Sequence, residues 1–94
     1  MPGGRLRIED MPSYMTYQLY RLAWLDERLA TVGVCAIKDA KVLNTAAKTI
    51  RRDLDLLHEL SPLAYKEEPH GRKRWFYADR RKRVFSRWFA GEAT

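Results

Sequence analysis

Between Asn44 and Leu60 the sequence NTAAKTIRRDLDLLHEL sorts its charges by position. Lys48, Arg51 and Arg52 come first, and Asp53, Asp55 and Glu59 follow. On a helix this order opposes the macrodipole, which favours acids at the N-terminal end and bases at the C-terminal end. Lys48 and Arg52 also stand four apart, so they repel across one turn. Cations kept there against both effects suit an external anion. A guanidinium pairs bidentately with phosphate oxygens or with O6 and N7 of guanine, and a helix N-terminus adds free N–H donors for phosphate. The competing reading is internal: Arg51 pairs with Asp55, and Arg52 with Asp55 or Asp79. Such exposed pairs contribute only about 0.3–0.5 kcal/mol each.

A second cationic cluster follows. Arg72, Lys73 and Arg74 surround the turn signal His70-Gly71, and from Arg72 to Arg87 eight basic residues face one acid, Asp79. Such a cluster suits a minor groove or the neighbouring phosphate backbone; the bland alternative is a solvated hairpin tip. Trp75, Phe76 and Tyr77 could stack on unpaired bases. Strand alternation instead puts Trp75 and Tyr77 on one face, as core, and Phe76 on the other.

Other chemistries find no residues to carry them. Cys35, His58 and His70 have no metal-site spacing, with no CxxC and no HxxxH, so no metal and no cofactor is expected. No Ser-His-Asp set, Gly-rich phosphate loop or isolated carboxylate pair stands out, so the chain is not expected to be an enzyme. His58 reads as a plain surface histidine.

The bounds agree. Ninety-four residues make one domain, and the formal net charge of +6 biases partners toward polyanions. A single cysteine excludes an internal disulfide framework and fits a reducing, cytoplasmic setting. The N-terminus MPGGRLRIED lacks the apolar stretch of a signal peptide, and apolar runs such as LAWL are too short for a bilayer, so no membrane association is expected.

The elements that must position these groups follow from periodicity and punctuation. Residues 1–12 read as a flexible arm. Ser13 to about Val32 has helical apolar spacing, with Pro12 at its start and Gly33 at its end. Ala36–Leu43 is a short helix, closed by Asn44 in the left-handed conformation. Thr45 is the expected N-cap of the helix that runs to Leu60. Ser61-Pro62 stops it. Leu63–Glu67 and Arg74–Ala78 read as a hairpin around the loop EPHGRK. Asp79 caps a last helix, Arg80–Ala90, with Val84, Phe85, Trp88 and Phe89 on one stripe. That stripe either folds back on the first helix or pairs two subunits; the expectation is dimerisation through Val84, Phe85, Trp88 and Phe89. The fold class is α+β, mainly α with a small antiparallel hairpin, in the order α-α-α-β-β-α. This is the outline of a winged helix-turn-helix over residues 13–79, with 80–94 as a C-terminal dimerisation helix.

Leu43–Leu57, LNTAAKTIRRDLDLL, resembles the recognition helix of DeoR-type and WYL-associated transcription regulators. The match at Thr49-Ile50-Arg51-Arg52-Asp53-Leu54 and Leu57 is without gaps, and looser similarity extends from about Leu19 to Ala78. Two positions depart from the pattern: Ala46 stands where a capping Ser is usual, and Asp39 where a Leu is usual. No counterpart of the large sensor domain of WYL proteins is present, so the expectation is a stand-alone or cut-down DNA-binding module.

The resemblance implies a sequence-specific regulator of transcription, a repressor by expectation, bound to double-stranded DNA as a homodimer through its terminal helices. It implies a bacterial or phage-encoded, cytoplasmic protein associated with the nucleoid when bound. Lys48, Thr49 and Arg52 would read bases, helped by Thr45, while Arg51, Arg72, Lys73 and Arg74 would hold phosphates. The alternative is a winged helix used as a protein-interaction module, such as a phage-type inhibitor of a host complex. Single-strand or RNA binding would require Trp75 or Phe76 to be exposed.

Overall fold

The computed structural model describes residues 13–85, and the expected arm 1–12 lies outside them. The elements run α1 (Ser13–Ala30), α2 (Ala36–Val42), α3 (Ala47–Leu60), β1 (Leu63–Glu68) and β2 (Arg72–Tyr77). This is an α+β arrangement of three helices and a two-stranded antiparallel hairpin.

The two long helices form because each presents an apolar stripe at helical spacing. Leu22, Leu25 and Leu29 of α1 and Ile50, Leu54 and Leu57 of α3 are all buried in one core. Leu60, the last residue of α3, is more than half exposed. The short α2 closes the core with Ala40, and the hairpin adds Tyr77 with Trp75 packed beside it.

Connections are tight. Asn44 adopts the left-handed conformation (φ 53°), as expected, and the Thr45 N–H donates to Ala40 O at 2.9 Å. Gly33 has φ +88°, and a Cβ there would lie 2.6 Å from Arg74 Cγ and 2.8 Å from Phe76 Cζ. Only glycine satisfies both the backbone and the space. This close passage lets Val34 pair with the far edge of β2. Val34 and Trp75 exchange two backbone hydrogen bonds of 2.8 Å.

The hairpin is longer than its sequence suggested. Its register runs from Leu63 opposite Tyr77 to Glu68 opposite Arg72. Pro69–Gly71 alone turns the chain, with His70 at φ 68° and Gly71 at φ 70°. Two consecutive left-handed residues reverse the backbone in so few steps that Arg72 and Lys73 enter the strand instead of the loop.

The expected helix Arg80–Ala90 is corrected in its first half. Arg80–Lys82 is one 3-10 turn, capped by Asp79, whose Oδ1 accepts from Arg81 N at 3.0 Å. Arg83 is extended, and helix resumes at Val84. The physical reason is Asp26, buried in the middle of α1. It accepts from the N–H groups of Val84 (2.8 Å) and Phe85 (3.2 Å), from Tyr77 Oη (2.6 Å) and from Arg83 Nη2 (3.0 Å). A distant carboxylate therefore caps the new helix. Burial, with Asp26 beside it, pushes the Tyr77 phenol well above its ordinary range.

Val84 and Phe85 are 5% and 8% exposed in this chain's own core, so they are not an open dimerisation stripe. Of the two readings of that stripe, these residues follow the one that folds back on the first helix. Trp88 and Phe89 lie outside the described residues.

Candidate functional site

The acids inside the molecule set the frame for the cations outside it. Asp53, on the inner face of α3 and 4% exposed, receives a two-pronged contact from Arg21 of α1. Asp39, 3% exposed, accepts from Cys35 N at 2.9 Å at the start of α2 and lies 3.7 Å from Arg28 Nη2. With Asp26 and Arg83, these make three buried carboxylates, each met by an arginine. An ionised carboxylate is tolerated at such depth only when it is paired and hydrogen-bonded. Asp39 thus has an ion-pair partner in Arg28.

The N-terminal half of α3 is arranged differently. Lys48, Arg51 and Arg52 are exposed, and none forms an ion pair with a described residue. The internal alternative for Arg51 and Arg52 is therefore not realised: neither Asp55 nor Asp79 lies within ion-pair distance of them. Asp79 pairs with Arg81 instead, at 3.1 Å. Thr45 and Thr49 are half-buried beside this half-helix.

The expected cap is also absent. Ala46, not Thr45, occupies the N-cap position of α3, with no side-chain hydrogen bond and no acid in the first turn. An alanine cap forgoes about 1 kcal/mol relative to Ser, Thr or Asp. It also leaves the helix N-terminal N–H groups and the positive end of the dipole uncovered beside three cations.

On a helix of 3.6 residues per turn, Arg51 lies about 100° around from Arg52. Lys48 and Arg52 share the outward stripe. Arg51 instead lines a cleft of about 750 Å³ between the start of α2, the flank of α3 and the hairpin. Arg72 and Lys73 line the same cleft. The fold thus brings Arg51, Arg72 and Lys73 around one concavity, and leaves Lys48 and Arg52 on the adjoining convex face.

Arg74, expected to hold phosphate, is paired within the hairpin. Its Nε donates to Glu68 Oε2 at 2.8 Å, and this hydrogen bond holds the Glu68 carboxyl below its ordinary range and raises Arg74. Arg74 and Glu68 lie diagonally across the two strands, where opposite charges meet. Lys73 sits with Nζ 4.5 Å from the centre of the Tyr65 ring, and Tyr65 packs on Trp75 with ring centroids 5.0 Å apart. Trp75 and Phe76 are half-buried, and Tyr77 is fully so.

Two contributors escaped the sequence reading. His58 is exposed but not plain: its Nδ1 accepts from the Leu63 N–H at 2.9 Å, joining the end of α3 to β1. No local pattern signals a bond across Ser61-Pro62. The apolar wall of the cleft, Ile37, Leu54, Leu63 and Trp75, comes from four separate elements. Among the described residues no group of three or more His, Cys, Asp or Glu could hold a metal ion, and no helix is long and apolar enough to cross a membrane.

Compared with known proteins, the chain matches no family model, no curated protein and no solved structure.

Proposed function

We propose that the chain is a winged helix-turn-helix protein that binds double-stranded DNA and regulates transcription, with repression as its mode. The N-terminal half of α3 enters the major groove, and the β1–β2 hairpin serves as the wing. Lys48, Thr49 and Arg52 meet base edges, with Thr45 nearby, while Arg51, Arg72 and Lys73 meet phosphates. Arg74, tied to Glu68, steadies the hairpin and contacts DNA less than its neighbours do.

One observation carries this reading. Among the described residues Lys48, Arg51 and Arg52 have no ion-pair partner, at a helix end without a side-chain cap, whereas Arg21, Arg28, Arg74, Arg81 and Arg83 all have carboxylate partners. A surface whose cations lack internal partners and whose helix dipole is open favours a polyanion. The Val34–Trp75 bridge ties β2 to the connection between α1 and α2, and the His58–Leu63 hydrogen bond ties β1 to the end of α3, so the hairpin is anchored at two points as a wing would be.

The test is fluorescence anisotropy with a labelled pool of random duplex DNA, at two salt concentrations and with single-stranded competitor. Groove docking gives tight binding that falls steeply with salt, each phosphate contact adding roughly 0.9 to the slope of log K against log salt. Duplex competes and single strands do not. Weak binding at both salts rejects the DNA reading. A homodimer matches a two-fold operator, and sedimentation with and without the selected duplex measures it.

A further inference from the structure

The cleft between α2, α3 and β2 combines two properties that a phosphodiester strand does not need together. Its walls are apolar, formed by Ile37, Leu54, Leu63 and Trp75. Its rim is cationic, with Arg51, Arg72 and Lys73 against a single carboxylate, Asp55. Its volume of about 750 Å³ falls within the roughly 300–1,000 Å³ typical of small-molecule sites. A sugar-phosphate backbone is polar along its length and gains little from an apolar wall. A compact aromatic or branched aliphatic body bearing one anionic group gains from both surfaces.

We propose that this cleft is a binding site for a small amphipathic anion, an aromatic or aliphatic carboxylate, sulfonate or phosphate. The apolar body packs on Ile37 and Trp75, and the anionic head pairs with Arg51 and Arg72. Neither arginine has an ion-pair partner among the described residues to give up. His58 fits an anion as well. With Nδ1 accepting from Leu63, the neutral ring keeps its proton on Nε2, so what it offers is a donor. The site does not depend on DNA binding. Given the DNA reading above, ligand and duplex share Arg51 and Arg72, and each excludes the other.

The probe is 8-anilinonaphthalene-1-sulfonate, titrated by its fluorescence into the folded chain without DNA, so that failure of DNA binding leaves the result intact. The expected result is saturable one-to-one binding. It weakens at least about tenfold in Arg51→Ala/Arg72→Ala and is abolished in Ile37→Glu. Ile37 is 42% exposed, so the charge is accommodated by the fold, and a thermal melt of each variant checks this. Tyr17→Ser/Tyr20→Ser, altering an exposed apolar area that does not line the cleft, leaves binding unchanged. Unsaturable binding, parental binding in the two cleft variants, or loss of binding in the tyrosine variant instead overturns the site. If Ile37→Glu does not fold, the arginine variant decides alone. Displacement of the probe by random duplex DNA then supports the shared use of Arg51 and Arg72; simultaneous binding overturns it.

Discussion

The two flanks of α3 use the same residue type for opposite ends. On the inner side, Arg21 reaches across from α1 to the buried Asp53. On the outer side, one and two residues earlier in the helix, Arg52 and Arg51 form no ion pair with a described residue. Arg28 and Arg83 behave like Arg21, each turned onto a buried carboxylate. The difference teaches that the positive charge of the chain is not uniformly available. Arginines on the α1 side are part of the interior electrostatics. Those between α3 and the hairpin are surplus to it and open to a partner.

This contrast breaks most visibly at Asp26. Asp26→Ala removes the acceptor shared by Tyr77, Arg83, Val84 and Phe85. Loss of one partner from such a buried network costs about 3–5 kcal/mol, read as a fall in the midpoint of urea unfolding. A change below ~1 kcal/mol would mean that the network is not as closed as its geometry. Arg52→Ala is the counterpart on the other flank. It is expected to leave the unfolding free energy within about 0.5 kcal/mol of the parent and to weaken binding to a selected duplex by roughly 1–3 kcal/mol with relaxed specificity at one position. Unchanged affinity would reject α3 as the reading element.

Tyr77 gives a pH handle on the inner flank alone. Its phenol titrates higher folded than unfolded, so its contribution is fully present below the unfolded value near ~10. It is lost as pH rises from there toward the folded value. Stability of the parent should fall above about pH 10 by up to ~1.4 kcal/mol per pH unit from this group. Tyr77→Phe should flatten that component of the slope, measured by urea unfolding between pH 9 and 11. An equal slope in both proteins would show that Tyr77 does not carry the loss.

The smallest effect separates stability from binding at one atom. Ala46→Asp supplies the missing cap of α3 and an acid near the positive end of its dipole, worth about 1 kcal/mol of stability. The same carboxylate should repel a phosphate and weaken duplex binding. A variant that is more stable and binds equally well would remove the helix end from the interface.

Much of the fold was legible because it is local. The apolar stripes of α1 and α3 follow a 3.6-residue period, and Asn44 and Gly33 mark their turns by conformational preference. The hairpin was legible in outline, but His70 as a left-handed residue was not, since glycine is the expected carrier of positive φ. That moved Arg72 and Lys73 from loop to strand. Asp26 and Asp39 were illegible as interior residues because their partners are tertiary: Arg83 stands 57 positions from Asp26. Arg74 shows the same limit, since its cross-strand pairing with Glu68 is tertiary. The cationic half of α3 was legible, since like charges set against a dipole are visible in one dimension. The cleft beside it was not, because α2, α3, β1 and β2 each contribute part of it.

The Val34–Trp75 pair has a mechanical consequence. It clamps β2 at its fourth residue, so the hairpin is a lever with a fulcrum at Trp75 and not a flap hinged at Pro62. Beyond Arg74, which still packs on Gly33, the two strands can bend or change length with less effect on the body of the protein. Inward of Trp75, any twist is transmitted through Val34 to Cys35, the first turn of α2, and so to the angle at which α3 is presented. Under the DNA reading proposed above, variation in the tip tunes reach, while variation at the fulcrum tunes aim.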